Sequence, residues 1–206
     1  MAVTRPAHFV DSGVRIDKVV VGPFENNAYV VRCTDTGEAV LIDAANEHEM
    51  LVPLCRRLGV RRVLTTHGHF DHIQAVAAAR DAGLDVGIAR DDADMLPAYD
   101  FVIDDDQEFE VGSLRLRTIH NPGHTPGSVS FLLEGHPVVF TGDTLFPGGP
   151  GTTKAHPQAS FEQIIESIDR RLLTLAPTTL VMPGHGLDTT VADERPHLQE
   201  WVDRGW

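Results

Sequence analysis

Thr66-His67-Gly68-His69-Phe70-Asp71-His72 places three imidazoles and a carboxylate within less than two helical turns of chain, directly after the strand-like run Arg62-Val63-Leu64-Thr65. Neutral imidazole and carboxylate are the preferred donors for zinc and related divalent ions. The alternating pair His67 and His69 would project from the same side of an extended segment as it leaves a strand. Low-complexity histidine tracts bind metal loosely, but this stretch is not one of them. It lies between a β-branched run and the alanine-rich segment 73–82, where a rigid scaffold ends a strand and presents side chains at its carboxyl end. The cluster reads as a metal-ligand set.

Outward from the cluster, short β-branched runs at 19–21, 28–32 and 39–42 are separated by turn formers and predict an antiparallel meander. Residues 47–58 carry Met50, Leu51, Leu54 and Leu58 at helical spacing and end at Gly59, a C-cap. Strand 61–65 delivers the histidines, and a helix running to about Ala82 stops at Gly83. The second half repeats this grammar. Strands are predicted at 85–89, 114–119, 129–133, 138–141 and 179–182. An amphipathic helix is predicted over 160–173, with Ser160 and Gln163 in capping-box positions, and a last helix over 193–201 with Leu198 and Trp201 on one face. This order suggests an α/β protein, an αββα sandwich of two mixed sheets with outer helices, formed by residues 1–206 as one domain.

The composition narrows the partners. A net charge of −13 over 206 residues repels phosphate backbones, so nucleic acid is not expected as a partner. The opening residues, Met1 to His8, lack the basic start and apolar core of a secretory signal, and no stretch reaches the length of a membrane span. A cytoplasmic protein with no membrane partner is expected. Cys33 and Cys55 have no redox or zinc spacing and read as small buried hydrophobes. Asp91, Asp92, Asp94 and the run Asp104 to Asp106 lack a calcium-loop arrangement and read as solvated loop, turn or cap residues.

Three later strand ends each close on a metal-competent side chain beside glycine. They are Asn121-Pro122-Gly123-His124-Thr125-Pro126-Gly127, Thr141-Gly142-Asp143-Thr144-Leu145-Phe146 and Met182-Pro183-Gly184-His185-Gly186. Glycine lets the backbone turn sharply and approach an ion closely.

With the first cluster, this ordered set strongly resembles the metallo-β-lactamase superfamily, over nearly the whole chain from about Val14. The resemblance implies an αββα sandwich with two divalent metal ions at one edge between the sheets. His67, His69 and His124 would hold one ion, Asp71, His72 and His185 the other, and Asp143 would bridge both. Zinc is the expected metal; iron and manganese accept the same donors. His8, His48, His120, His136, His156 and His197 are left as surface or structural residues. Asp43, ending strand 40–42, is the residue that family resemblance places behind the histidine ligands. Thr125 and Ser128 are weighed equally as local caps and as substrate contacts.

The spelling selects within the superfamily. Flavodiiron oxygen reductases resemble this set but carry glutamate where His69 stands, which favours hydrolysis here. β-Lactam-cleaving members usually lack an aspartate bridge at the position of Asp143, and nucleases add an arm or inserted domain. Gly142-Asp143-Thr144-Leu145-Phe146 most resembles the glyoxalase II group, which hydrolyses thioesters such as S-2-hydroxyacylglutathione. That resemblance implies a small-molecule acyl thioester as substrate. Two ions would supply a hydroxide from a shared water and polarise the carbonyl, with Asp71 also accepting or orienting the hydroxide proton. A thiolate leaves with a conjugate-acid pKa of about 8.5 and hardly needs a general acid.

Two features depart from the group. Full-length glyoxalase II carries a helical C-terminal domain that grips glutathione, whereas His185 lies close to the end of this sequence. The family's Gly-x-Gly-Arg segment is replaced by Gly148-Gly149-Pro150-Gly151-Thr152-Thr153-Lys154, where Lys154 is the candidate for a substrate carboxylate. The alternatives are a lactone hydrolase and an oxidoreductase similar to persulfide dioxygenases, which use one iron on a subset available here as His67, His124 and Asp143. A catalytically silent scaffold is disfavoured, because an empty cluster of buried polar groups is costly.

Overall fold

The computed structural model describes residues 7–154 and 157–205. The opening stretch as far as Pro6, read above for a leader, and His156 lie outside the described residues. Strands β1 (Phe9–Asp11), β2 (Val14–Val21), β3 (Asn26–Cys33) and β4 (Ala39–Ile42) pair antiparallel in sequence order. Helix α1 (His48–Leu58) then carries the chain back, so that β5 (Val60–Leu64) joins β4 in parallel. Two short helices, α2 (Phe70–Ile73) and α3 (Val76–Asp81), lead to β6 (Asp85–Ala89), and a 3₁₀ turn over Arg90–Met95 leads to β7 (Phe101–Ile103). The result is a seven-stranded mixed sheet in the order β1 to β7.

The second sheet is built from β8 (Glu108–Val111), β9 (Leu114–His120), β10 (Val129–Leu133) and β11 (Val138–Gly142), an antiparallel series. A ribbon of β12 (Leu145–Phe146) and β13 (Gly149–Pro150) follows, then α4 (Phe161–Ser167) with a π-helical turn over Ile168–Leu172. Strand β14 (Leu180–Pro183) returns parallel to β11, and β15 (Thr189–Thr190) borders it. The last elements are α5 (Val191–Glu194), a 3₁₀ turn over Arg195–His197 and α6 (Leu198–Arg204).

The sheets pack face to face, and the alternation within β3 explains the layers. Tyr29, Val31 and Cys33 point into a core shared with Phe109, Leu116, Phe131 and Phe140 of the second sheet. Ala28 and Val30 point the other way, into a core with Leu51 and Cys55 of α1 and Val76 and Ala79 of α3. Both faces of the strand are buried, and its middle, Ala28-Tyr29-Val30-Val31, is continuously apolar rather than alternating. Ile119, Val139 and Val181 form a third core against Ile164, Ile168, Leu172 and Trp201. The αββα sandwich expected from the sequence is the observed fold, and both cysteines are buried. Each large side chain removed from water here contributes about 1.5–3 kcal/mol.

The structure differs from expectation at element edges. The helix read as running to Ala82 is broken at Gln74 and Ala75, whose N–H groups donate to the Ala45 and Ala44 carbonyls instead of continuing a helical ladder. Helix 160–173 begins as expected, with Ser160 Oγ accepting from Gln163 N, but loosens to a π turn after Ser167. The last helix is interrupted by a 3₁₀ turn containing Pro196, which has no N–H to donate. β1, β7 and β8 are too short to stand out as periodic runs.

Gly123, which starts the turn carrying His124, has φ 139, and a Cβ there would lie 2.3 Å from the Ile164 backbone N. Gly123→Ala is therefore expected to lower stability by about 2 kcal/mol or more, read as a lower urea midpoint at unchanged m.

Candidate metal centre

The strand ends of both sheets meet at one edge of the sandwich. β5 runs out into Thr66–His72, the β9–β10 connection carries His124, β11 ends beside Asp143, and β14 ends beside His185. An isolated bridge between Asn26 and His185, with Asn27 N donating to Gly184 O at 2.7 Å, ties the first sheet to the second here. Gly184 has no room for a side chain, because a Cβ would lie 2.3 Å from Asp143 Oδ1 and 2.6 Å from His72 Cε1.

All seven residues read from the sequence as ligands converge at this edge. They form three overlapping groups: His67, His69 and His124; His67, His72 and Asp143; and Asp71, His72 and His185. His67 Nε2 lies 3.1 Å from His69 Nδ1, and His72 Nε2 lies 3.2 Å from His185 Nε2. Donors on one tetrahedral zinc stand about 3.3 Å apart, given bonds of about 2.0–2.1 Å. Asp143 sits between the groups, with Oδ1 at 3.3 Å from His72 Nε2 and Oδ2 at 3.6 Å from His124 Nε2. His185 Nε2 is 3.3 Å from Asp71 Oδ2 and 3.5 Å from Asp143 Oδ2. His124 Nε2 and Asp143 Oδ1 are buried with no hydrogen-bond partner, a costly state that metal coordination relieves. The donor set fits divalent metal ions.

The far sides of the rings are fixed. His72 Nδ1 is 2.8 Å from Asp43 Oδ2, and Asp43 also accepts from Thr66 N and Thr66 Oγ1 at 2.7 Å each. Thr66 Oγ1 in turn lies 3.1 Å from His67 Nδ1. Asp43 holds this position at φ 59, a left-handed conformation that aspartate tolerates better than most residues. His124 Nδ1 donates to Thr152 O at 2.7 Å and His185 Nδ1 to Phe24 O at 2.8 Å. The loop bearing Thr152 is anchored by buried Glu194, which accepts from Gly148 N and Thr189 Oγ1.

Three contributors were not anticipated from the sequence. Asp92, read as a solvated residue, is fully buried and accepts from Gly68 N, Gly127 N and Thr125 Oγ1 at 2.7–2.8 Å. It joins the His67–His72 segment to the His124 turn, and these three donors are the physical reason for its burial. The only sequence signal was its place just after β6. Asn26 Nδ2 donates to Asp71 Oδ2 at 2.9 Å, and Thr66 links Asp43 to His67. Ser128 Oγ accepts from Thr125 N as a local cap, whereas the Thr125 hydroxyl reaches out of its own turn to Asp92. Lys154 is exposed, with no ion pair among the described residues. Of the other histidines, His8 pairs with Asp188, His120 with Pro126 O, His136 with Asp11 and His197 with Glu200, while His48 is exposed beside Glu49.

Protonation divides the cluster. Burial pushes His67 far below its ordinary pKa and His69 down to about 4, reinforced by the neighbouring rings; burial lowers His124 too. These three are neutral lone-pair donors. Burial acts the same way on His72, but the Asp143 and Asp43 carboxylates outweigh it and raise that pKa well above the ordinary value. His185 is raised similarly, by its hydrogen bond to Asp71 against burial. Burial opposes ionisation of Asp71, yet His185, His72 and Asn26 hold its carboxyl below the usual range.

Two outcomes are expected. The metal-free protein keeps a proton on His72 that coordination must expel, so zinc loading near neutrality releases protons. Lowering the pH favours the protonated, metal-free form, so zinc affinity falls from about pH 8 to about pH 6; indicator titration and competition with a chelator measure both. Asp92→Ala leaves two buried amides unsatisfied and lowers stability by about 3 kcal/mol, read from urea unfolding, together with weaker zinc binding.

Residues 21–185 match the model of the Metallo-beta-lactamase superfamily. The chain is 33% identical over 199 residues to the probable metallo-hydrolase YqgX of Bacillus subtilis, covering 86% of this chain and 93% of that protein. It is 31% identical to the hydroxyacylglutathione hydrolase GloC of Haemophilus influenzae (88% and 95% covered) and 34% identical to the mitochondrial persulfide dioxygenase ETHE1 of Bos taurus (81% and 68%). Among solved structures, the B3 metallo-β-lactamase BLEG-1 superposes with a TM-score of 0.81 at 30% identity (88% and 97% covered). TTHA1623 in a di-iron-bound form gives 0.77 at 32% (86% and 96%). A histidine and aspartate cluster able to bind metal, at the edge of an αββα sandwich with these relatives, makes the chain a member of the metallo-β-lactamase superfamily.

Proposed function

We propose that residues 1–206 form one domain that hydrolyses acyl thioesters of a small thiol in the cytoplasm. His67, His69 and His124 hold one divalent ion, Asp71, His72 and His185 a second, and Asp143 both. The observation that carries the reading is the complete set of seven converging donors with no serine or cysteine nucleophile among them. Zinc is favoured by the nitrogen-rich donor set. Bound divalent ions supply Lewis-acid polarisation of the carbonyl and activation of water at neutral pH.

The chain's own residues do the rest. Asp71, kept ionised by His185, His72 and Asn26, is the carboxylate that orients the attacking water. Asp43 fixes the ring orientation of His72, and the Thr152 carbonyl that of His124. A thiolate, with a conjugate-acid pKa of about 8.5, departs without a proton donor. Lys154, on the loop that also carries Thr152, receives a substrate carboxylate. The hydroxyacylglutathione hydrolase among the relatives supports this reading.

A second reading, an oxidoreductase acting on persulfides with one iron on His67, His124 and Asp143, is supported by the relative named as a persulfide dioxygenase. One experiment separates them. Metal content is measured on protein purified without added metal, followed by assays on S-lactoylglutathione, other acyl thioesters, an acyl-homoserine lactone and glutathione persulfide. Two ions per chain with thioester turnover are expected. One iron with oxygen consumption on persulfide would establish the second reading, and lactone turnover alone would move the proposal from thioesters to lactones.

A further inference from the structure

Large apolar side chains standing singly in water are ordinary, but those beside this centre are not single. Phe24 is 53% exposed, Phe70 60% and Leu187 80%. The Phe24 and Phe70 rings come from separate segments of chain and meet edge to face, with centroids 5.5 Å apart. Each of the three is tied to a residue of the Asp71, His72 and His185 group. Phe70 lies between His69 and Asp71, the Phe24 carbonyl accepts from His185 Nδ1 at 2.8 Å, and Leu187 follows His185 by two residues. Phe146 adds a fourth face, its ring 6.5 Å from that of His185 at 31°. The Phe24 backbone is thus held by the same bond that orients His185. The loop bearing Thr152 and Lys154 joins the cluster elsewhere, through His124.

We propose that the substrate carries an apolar arm, alkyl or aryl, that lies on the wall of Phe24, Phe70, Phe146 and Leu187 beside Asp71, His72 and His185. The inference rests on the thioester reading for its reaction but not for its binding surface. An arm stacked on this wall transfers methylenes out of water, so selectivity rises with chain length. The arm belongs to either the acyl group or the thiol, and both sources present the same chemistry to the wall.

The test uses the full chain loaded with zinc and two thioester series. One lengthens the acyl group from acetyl to octanoyl on 2-mercaptoethanol; the other lengthens an alkyl thiol on a fixed acetyl group. In one series kcat/KM is expected to rise by about two- to fourfold per methylene, the range for one-sided to full burial, and that series identifies the arm. In Phe70→Ala and Phe24→Ala, whose side chains are exposed, the rise falls below about 1.5-fold per methylene. A flat dependence in both series, or a slope that the two variants leave unchanged, would overturn the wall. Calorimetric binding of straight-chain carboxylates from acetate to octanoate gives the same slope without turnover. If binding keeps that slope in the wild type and loses it in the variants while no thioester reacts, the wall stands and the thioester reading fails.

Discussion

Much of this molecule depends on one buried carboxylate. Asp43, at the end of β4 in a left-handed conformation, receives the Thr66 amide, the Thr66 hydroxyl and the His72 ring. Those bonds fix where the chain goes after β5, and so where His67 and His72 point. They also set the proton balance: with Asp143, Asp43 keeps a proton on His72 while His67, at the same depth, is pushed towards neutrality by burial. Two imidazoles five residues apart thus differ in charge because His72 has carboxylate oxygens at 2.8 and 3.3 Å, from Asp43 and Asp143. Strain at a site-forming residue is sustained by the sandwich around it.

The remaining geometry follows from two sheets whose strand ends reach a common edge. His67, His69, His124, Asp143 and His185 each stand beside a glycine where a strand gives out, whereas Asp71 and His72 come from the short helix α2 that follows. Asp92 clips the first cluster to the His124 turn, Glu194 anchors the loop that receives the His124 N–H, and Tyr29 Oη donates to the Pro183 carbonyl beneath His185. A donor set precise to tenths of an ångström needs such outer bonds, because flexible loops alone do not supply it.

The sequence made the layered fold and the seven donors readable for different reasons. β-Branched runs and helical spacing are local properties, so β2 to β6, α1 and most of the second sheet could be placed from them. The donors were readable because metal chemistry restricts residue type and because glycine marks the close approaches. Asp92 was not readable: in Arg90-Asp91-Asp92-Ala93-Asp94 nothing local separates a carboxylate buried by three donors from its exposed neighbours. The helix break at Gln74 and Ala75 escaped for the same reason, since the competing acceptors, the Ala45 and Ala44 carbonyls, come from a distant turn. Long-range hydrogen bonding, rather than propensity, accounts for both.

The contact of His72 with His185 spans 113 residues of chain. At common rates of polypeptide synthesis, roughly ten seconds separate the emergence of the two rings from a ribosome. Through that interval the nascent chain already carries the three histidines and aspartate of its first cluster, while the strand pairing that seats His185 has yet to form. The cluster of side chains is therefore complete only once β14 has emerged and paired, and the order of its members along the chain becomes an order of assembly.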